Sequence, residues 1–379
     1  MITFAGTELS MLDARIVRDA PSTYAERDVE VVEVPGRNGA LVFDNGAFKN
    51  VSAEYTMYIP SLDKRRTARQ VAAWLLSHAD GYYRLYDDYE PDVYRMARFV
   101  GPLDVEARLE RYGTAKLTFD CKPQRYLLDD DELIVYPVVG GYVNSNGGME
   151  AGDTLDRRTG YIPVSAGSEI TVTIDYEYEP DDQTTGVVFA SYSAPGTHVS
   201  QQRYTPTAPG ATTYTYTVPS GANYVIVAWK SGYSTVVIET PSSSATYSQN
   251  GPIINNDTLF DAAPLVRLRQ GPSPTVNVQG FAIGDTRVSI VMTGQSPAIY
   301  NDGIVVDCES MTTYAEYVND IVSLNARTTV YDTSAQREAD AFPVFAPGAN
   351  VLDTVNATGG MASECPVTEI VIDGRWWTV

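Results

Sequence analysis

The chain of 379 residues is poor in the groups that usually carry chemistry. It has two histidines, His78 and His198, and three cysteines, Cys121, Cys308 and Cys365, which lie far apart with no paired spacing. That spacing argues against a zinc site and against a disulfide framework, and the thiols read as small buried hydrophobes. No His-Glu-x-x-His, Gly-x-Ser-x-Gly or phosphate-binding glycine loop occurs. Carboxylates are abundant enough to supply a glycosidase pair, which sequence spacing alone does not reveal. With base, nucleophile and metal ligands otherwise scarce, the chain reads as a non-enzyme without a cofactor. No apolar run of about 18 residues is present to span a bilayer, so membrane insertion is not expected. Met1-Ile2-Thr3-Phe4 lacks the basic start and apolar core of a signal peptide, which places the expected chain in a cytoplasm until it is packaged or released.

Positive charge is the other shortage. Residues 1–128 carry 17 Lys plus Arg against 19 Asp plus Glu, a net of −2, whereas the rest of the chain holds 10 against 29, a net of −19. Phosphate neutralisation needs basic clusters, so nucleic-acid binding is disfavoured over the acidic part. An acidic surface can still line a DNA conduit, because it repels the duplex and keeps it from sticking. A soluble acidic protein is the plainer alternative.

What is present favours strands. The chain has 26 Tyr, 22 Pro and 29 Gly with many Val and Thr, the composition of a largely β protein with many turns. Its length predicts two or three domains. Near the start, Glu30-Val31-Val32-Glu33-Val34 and Leu41-Val42-Phe43 flank Asn38-Gly39, which suits a tight hairpin turn. Val51, Ala53, Tyr55, Met57 and Ile59 then alternate with polar partners, predicting a half-buried strand. Residues 64–78 read as a helix: Ala68, Val71, Ala72 and Leu75 form one stripe, Asp63 caps the start and Gly81 lies past the end. Strands near 82–86, 93–100 and 103–109 follow, then Ala115, Leu117, Phe119 and Cys121 alternate. Strands wrapped about one helix make an α+β unit over 1–128.

A segment of different composition follows, rich in Tyr, Ser and Thr. Its strands alternate at 170–178, 214–218, 225–229 and 236–238, with turns at Pro180, Pro195-Gly196, Pro209-Gly210 and Pro219-Ser220-Gly221, which predicts a two-sheet β-sandwich over 141–248. Residues 240–248 read as its exit linker. Residues 129–140 and 249–379 form a further β domain, a C-terminal β-sandwich with strands near 265–269, 275–278, 287–292 and 367–372. The middle therefore reads as an insertion whose ends should lie close together and whose removal should leave the remainder folded.

The two outer parts resemble the distal tail protein of long-tailed bacteriophages. The resemblance rests on Val34-Pro35-Gly36-Arg37-Asn38-Gly39 with Asp44-Asn45-Gly46, Gly81-Tyr82-Tyr83-Arg84-Leu85-Tyr86-Asp87-Asp88, Thr118-Phe119-Asp120-Cys121-Lys122-Pro123-Gln124-Arg125-Tyr126, Phe342-Pro343 with Pro347-Gly348-Ala349-Asn350, and Arg375-Trp376-Trp377, in this order. It implies a structural virion protein: a ring, usually a homohexamer, closed by the N-terminal domain at the tail tip. Such a ring continues the DNA conduit from the tail tube protein and docks tail-tip, tape-measure and receptor-binding proteins. Arg37, Asn38, Phe43 and Asn45 are then the expected contacts between copies. The virion tail tip is the expected location, with assembly in the host cytoplasm.

The middle segment is similar, more loosely, to jelly-roll, carbohydrate-binding-like modules of phage adhesion proteins, through Gly160-Tyr161-Ile162-Pro163-Val164 and Val218-Pro219-Ser220-Gly221-Ala222. A host cell-wall saccharide is the partner this implies. Sugars offer flat apolar faces edged by hydroxyls, so Trp229 beside Lys230, Tyr233 on the Ser231-Gly232 turn, and Tyr192 and Tyr204 flanking the His198 loop are the glycan-contact candidates. The alternative is that these rings are ordinary sandwich core and surface. Asp175, Glu177, Glu179, Asp181 and Asp182 lack the spacing of a calcium loop and read as a solvated turn. The rival to a tail protein is a free multidomain β adhesin, which should be monomeric where a ring former should be a large multimer.

Overall fold

The computed structural model describes residues 1–379 apart from 18–22, 61–62, 79, 109–111, 129–131, 151–155, 177–185, 207–208, 231–234, 249, 271–277, 293–302, 318–319, 323–325, 355–366 and 379. The protein is mostly β, with one α-helix among the described residues. Its contacts divide it into two compact units, Met1–Asp129 with Trp376–Val379, and Asp130–Arg375.

The first unit is a nine-stranded sheet carrying the helix Lys64–Leu76. Strand Tyr112–Leu127 lies at its centre, antiparallel to Val51–Ile59 on one side and Val93–Phe99 on the other. The alternation read from the sequence fixes which face is buried: Val51, Ala53, Tyr55, Met57 and Ile59 are all inside. The helix begins where the Asp63 carboxylate accepts the Arg66 backbone N–H, and it stops at Leu76, two residues short of His78. Val71, Trp74 and Leu75 pack into the same core as Phe4 and Phe119, and the Trp74 indole N–H donates to the Phe4 carbonyl at 3.2 Å. Of residues 103–109, expected as one strand, Glu106–Arg108 form strand and pair with Tyr112–Thr114 at the end of the central strand, 103–105 do not, and 109 lies outside the described residues. Strand Trp377–Thr378 returns to pair with Arg125 and Tyr126. On the same central strand, buried Arg125 and its neighbour Arg95 both donate to the Glu90 carboxylate, at 3.3 and 2.6 Å.

The second unit has two sandwiches that share a sheet. An outer sheet runs in the order Val138–Gly140, Asp156–Thr159, Tyr224–Lys230, Val187–Ala194, Thr197–Tyr204. It faces Gly210–Thr217, Glu169–Tyr176, Val236–Thr240 and Ser243–Tyr247, with Phe189 stacked on Tyr216 at 5.0 Å and Trp229 against Tyr247 at 6.3 Å. That second layer does not end there. It continues through Pro252–Asn256, Gly348–Thr354, Val278–Ile283, Thr286–Met292, Ala326–Asp332 and Arg337–Glu338 as one ten-stranded sheet. A third sheet, ordered Leu133–Val135, Val367–Asp373, Leu265–Gln270, Gly303–Asp307, Thr312–Tyr317, Asp320–Val322, completes the other sandwich. Val266, Leu268, Ile304 and Ile370 on the third sheet, and Phe281, Val288 and Ile290 on the shared one, are fully buried.

Several boundaries differ from those read in the sequence. The stretch 240–248 is no linker: Pro241 and Ser242 make a tight turn, and Ser243–Tyr247 is a strand whose Ala245 and Tyr247 point inward. Residues 138–140, assigned to the C-terminal part, pair with Arg157–Thr159 of the middle segment. The Tyr136 backbone N–H donates to the Tyr247 hydroxyl at 3.2 Å, so the start and end of the middle segment meet. The expected strand at 275–278 begins at Val278 and runs to Ile283; 275–277 lie outside the described residues.

Where the shared sheet passes into the second sandwich, Asp353 and Arg287 flank Ala282 from neighbouring strands. Burial pushes the Asp353 carboxyl from 3.8 up to about 6, with Arg287 pulling the other way. The folded state therefore holds this proton where the unfolded chain has released it. Its contribution to stability falls as pH rises from about 3.8 to about 6 and is level above. Discounted for its partial exposure, the effect is about 1–2 kcal/mol. Asp353→Asn should therefore be more stable than the parent by that amount at pH 7.5 and by less at pH 4, read from urea midpoints. An advantage equal at both pH values would rule out this origin.

Candidate functional site

Two features stand out from the packed sheets, one in each unit. The first is a hairpin arm. Among the described residues Arg27–Val32 and Leu41–Phe48 pair only with each other, and every residue on them is exposed or half-buried. Val31 and Val42 stand directly opposite each other at 59% and 63% exposure, and Phe43, on the other face opposite Glu30, is 53% exposed. A lone two-stranded hairpin is marginal in water. This one is braced at its base, where Lys49 N–H donates to the Glu26 carbonyl at 2.8 Å, Arg27 binds Asp44 at 2.9 Å, and Phe48 meets Trp377 edge-on. The backbone N–H of Gly46 and the Arg27 guanidinium hold the Asp44 carboxyl below its usual range.

The strands are joined by residues 33–40, a longer connection than the tight Asn38-Gly39 turn expected, because the pairing stops at Val32 and Leu41. A turn closes within it from Arg37 N–H to the Val34 carbonyl, with Gly36 and Gly39 at φ +84° and +83°. Arg37 and Asn38 lie exposed in that loop; Phe43 and Asn45 lie on the arm itself, and the Asn45 amide donates to Asp28. The structure thus gathers all four expected contact residues on one projecting element.

The second feature is a cavity of about 250 Å³ on the outer face of the outer sheet. A flap hairpin, Tyr142–Val143 with Met149–Glu150, borders it, and Val188, Ala228, Asp156, Arg203 and Lys230 line it. The flap is tied down where the Tyr192 hydroxyl donates to the Gly147 carbonyl at 2.8 Å. Gly147 has φ +77°, and a Cβ there would lie 2.2 Å from the His198 ring, so only glycine lets the flap approach this closely. Tyr142, 37% exposed, donates to Glu150, whose carboxyl is held low by Asn144 and by this tyrosine.

The expected glycan contacts fall differently. Trp229 is 4% exposed and its ring packs inward against Tyr247, because Val225, Val227 and Trp229 alternate toward the space between the sheets. Tyr192 is fully buried beneath the flap, and burial raises its hydroxyl pKa. Tyr204 is half-buried, donates to the Thr215 carbonyl, and lies against Phe189 and Tyr214. Tyr192 and Tyr204 are packing residues, and Trp229, though its ring is buried between the sheets, is also among the residues that line the cavity. Tyr233 lies outside the described residues, as do Glu177, Glu179, Asp181, Asp182 and Cys365. Cys121 and Cys308 are buried free thiols, the latter pushed up to about 12 by burial. No group of His, Cys, Asp or Glu suited to a metal occurs among the described residues. The residues that sequence reading missed are Tyr142, Asp156 and Arg203, which come from separate strands and share no spacing.

The sequence matches no protein-family description and no curated protein. Among solved structures the chain is similar to the Dit protein (gp 19.1) of phage SPP1, described as a paradigm of the hub adsorption apparatus in phages infecting Gram-positive hosts. The two share 11% identity over 65% of this chain and 98% of that one, with a TM-score of 0.29.

Proposed function

We propose that this chain is a structural subunit of a phage tail tip, several copies of which close into a ring that continues the DNA conduit and docks neighbouring tail proteins. The observation that carries this reading is the arm. It exposes Val31, Val42 and Phe43 on a hairpin that no other strand pairs with among the described residues, on the segment that bears the sequence resemblance to distal tail proteins. Apolar surface of this kind is covered when a second copy packs on it, and a head-to-tail contact repeated by rotation closes a ring. The near-neutral charge of residues 1–128 lets identical copies approach, while the acidic remainder suits a surface that DNA must pass without adhering. Tube, tape-measure and receptor-binding proteins are the proposed neighbours, and the virion tail tip the proposed place.

The outer-sheet cavity adds a second role in the same particle: contact with host cell-wall saccharide, weak per copy and strengthened by the ring. Linked sites raise the effective concentration of each next contact, so avidity exceeds single-site affinity by roughly 10²-fold or more.

The test is the mass of the assembled particle. Full-length protein should run as a closed multimer by light scattering and show rings in electron micrographs. The double variant Val42→Asp, Phe43→Asp should run as a folded monomer. A parent that stays monomeric at high concentration favours the free adhesin; a variant that still forms rings moves the contact off the arm.

A further inference from the structure

Between residues 141 and 248 there are four cations, Arg157, Arg158, Arg203 and Lys230, against ten carboxylates. The fold puts all four on the outer sheet. Three share its outer face. Arg203 stands opposite Val188, Val188 opposite Ala228, and Ala228 opposite Arg158, so two arginines bracket an apolar floor in a single cross-strand row. Lys230, paired with Asp156, is two residues along the same strand from Ala228 and therefore on the same face. Arg157 falls on the opposite face, beside Trp229. Arg203, Val188, Ala228 and Lys230 line the cavity bordered by the flap, where Arg203 is exposed and Lys230 half-buried; Arg158, at the far end of the row, is buried and lies outside the lining. Two carboxylates lie in the same neighbourhood, Asp156 in the lining and Glu150 on the flap, the latter engaged by Tyr142 and Asn144. Two of the four cations of this acidic segment thus stand at the rim of an apolar-floored recess.

We propose that this cavity selects an acidic saccharide, one bearing a carboxylate or phosphate on its ring. Arg203 and Lys230 meet the anionic group, the first as a planar two-pronged donor and the second as a point charge. Tyr142 and the Val188–Ala228 floor receive the apolar ring face, and Asp156 accepts from hydroxyls. The cavity's volume holds one or two sugar rings and excludes a folded partner. This inference rests on the saccharide-contact reading above and names its ligand class.

The test titrates the full chain with three probes: a galacturonate oligomer, a phosphorylated hexose and a neutral glucose oligomer, by calorimetry at low and moderate salt. The acidic probes should bind about tenfold tighter than the neutral one, with affinity falling as salt rises. Arg203→Gln and Lys230→Gln, at positions open enough to keep the fold, should each cost about tenfold toward acidic probes and little toward the neutral one. Arg337→Gln, on a distant strand of the other sandwich, should change nothing. The better of the two acidic probes identifies carboxylate or phosphate as the recognised group. Equal or tighter binding of the neutral oligomer would overturn the acidic preference while leaving saccharide contact in place. Absence of binding to all three probes, even by assembled rings, would overturn both.

Discussion

Excising residues 141–248 and joining the ends with a short flexible linker should abolish cooperative folding of the second unit. The sequence alone predicts the reverse, a module that can be lifted out. The sheet decides the matter physically. Ser243–Tyr247 pairs with Val236–Thr240 on one side and, through Thr246 and Tyr247, with Ile253 and Pro252 on the other, so the excision removes one neighbour of Pro252–Asn256 and leaves an open edge. It also strips the cover from Tyr136, Val138 and Val139, each 2% exposed or less, and takes the hydroxyl that satisfies the Tyr136 backbone N–H. The junction is close-fitting as well: a Cβ at Gly251 would come within 2.1 Å of the Leu352 carbonyl oxygen, so this backbone has little room to repack. Uncovering several large apolar side chains at about 25 cal/mol per Å² costs a sizeable share of the 5–15 kcal/mol that a domain typically has. Tyr247→Ala isolates the effect at one residue and should cost about 3–5 kcal/mol. Calorimetry on both variants checks the claim; a deletion variant whose second unit melts at the parental temperature would refute it.

How far the sequence reveals this protein depends on whether the deciding contacts are local. The strand Val51–Ile59 and the helix with its Asp63 cap are set by periodicity and by a side chain three residues away, and both were legible. The Ser/Thr run at 240–248 misled, because only Ala245 and Tyr247 mark its inward face, and two residues make a faint alternation. Trp229 misled for the opposite reason. Its neighbours Lys230 and Ser231 suggested a surface, yet the pattern Val225, Val227, Trp229 is an inward-facing strand. The cavity was beyond spacing arguments, since its charged residues come from three strands spread between positions 156 and 230. The scarcity of cations in that segment was legible as a count, and their gathering is what the pairing registers supply.

Glu90→Ala should be the most damaging single substitution in the first unit, with an expected cost of about 3–5 kcal/mol. Arg95 and Arg125 are 6% and 3% exposed and share this one carboxylate. Their neighbourhood already carries an excess of positive charge. Burial, then the nearby Arg95, lower the Arg125 pKa, with Glu90 opposing them, and Arg125 Nη1 has no hydrogen-bond partner. The remaining support for Arg125 is a bond to the Thr23 carbonyl at 2.8 Å and a stack on the Tyr24 ring at 4.5 Å. Removing the carboxylate leaves two buried guanidinium groups facing each other without a counter-charge, on the strand that pairs with Trp377–Thr378. Glu90→Gln keeps an acceptor but not the charge, so it should fall between Ala and the parent. Replacing both arginines in the Glu90→Ala background, Arg95→Met with Arg125→Met, should recover much of the loss, because a well-packed apolar trio is often as stable as a buried ion cluster. Denaturation midpoints of the four proteins test this order. If Glu90→Ala unfolds within about 1 kcal/mol of the parent, water reaches the guanidinium groups and the cluster is not the electrostatic centre of this unit.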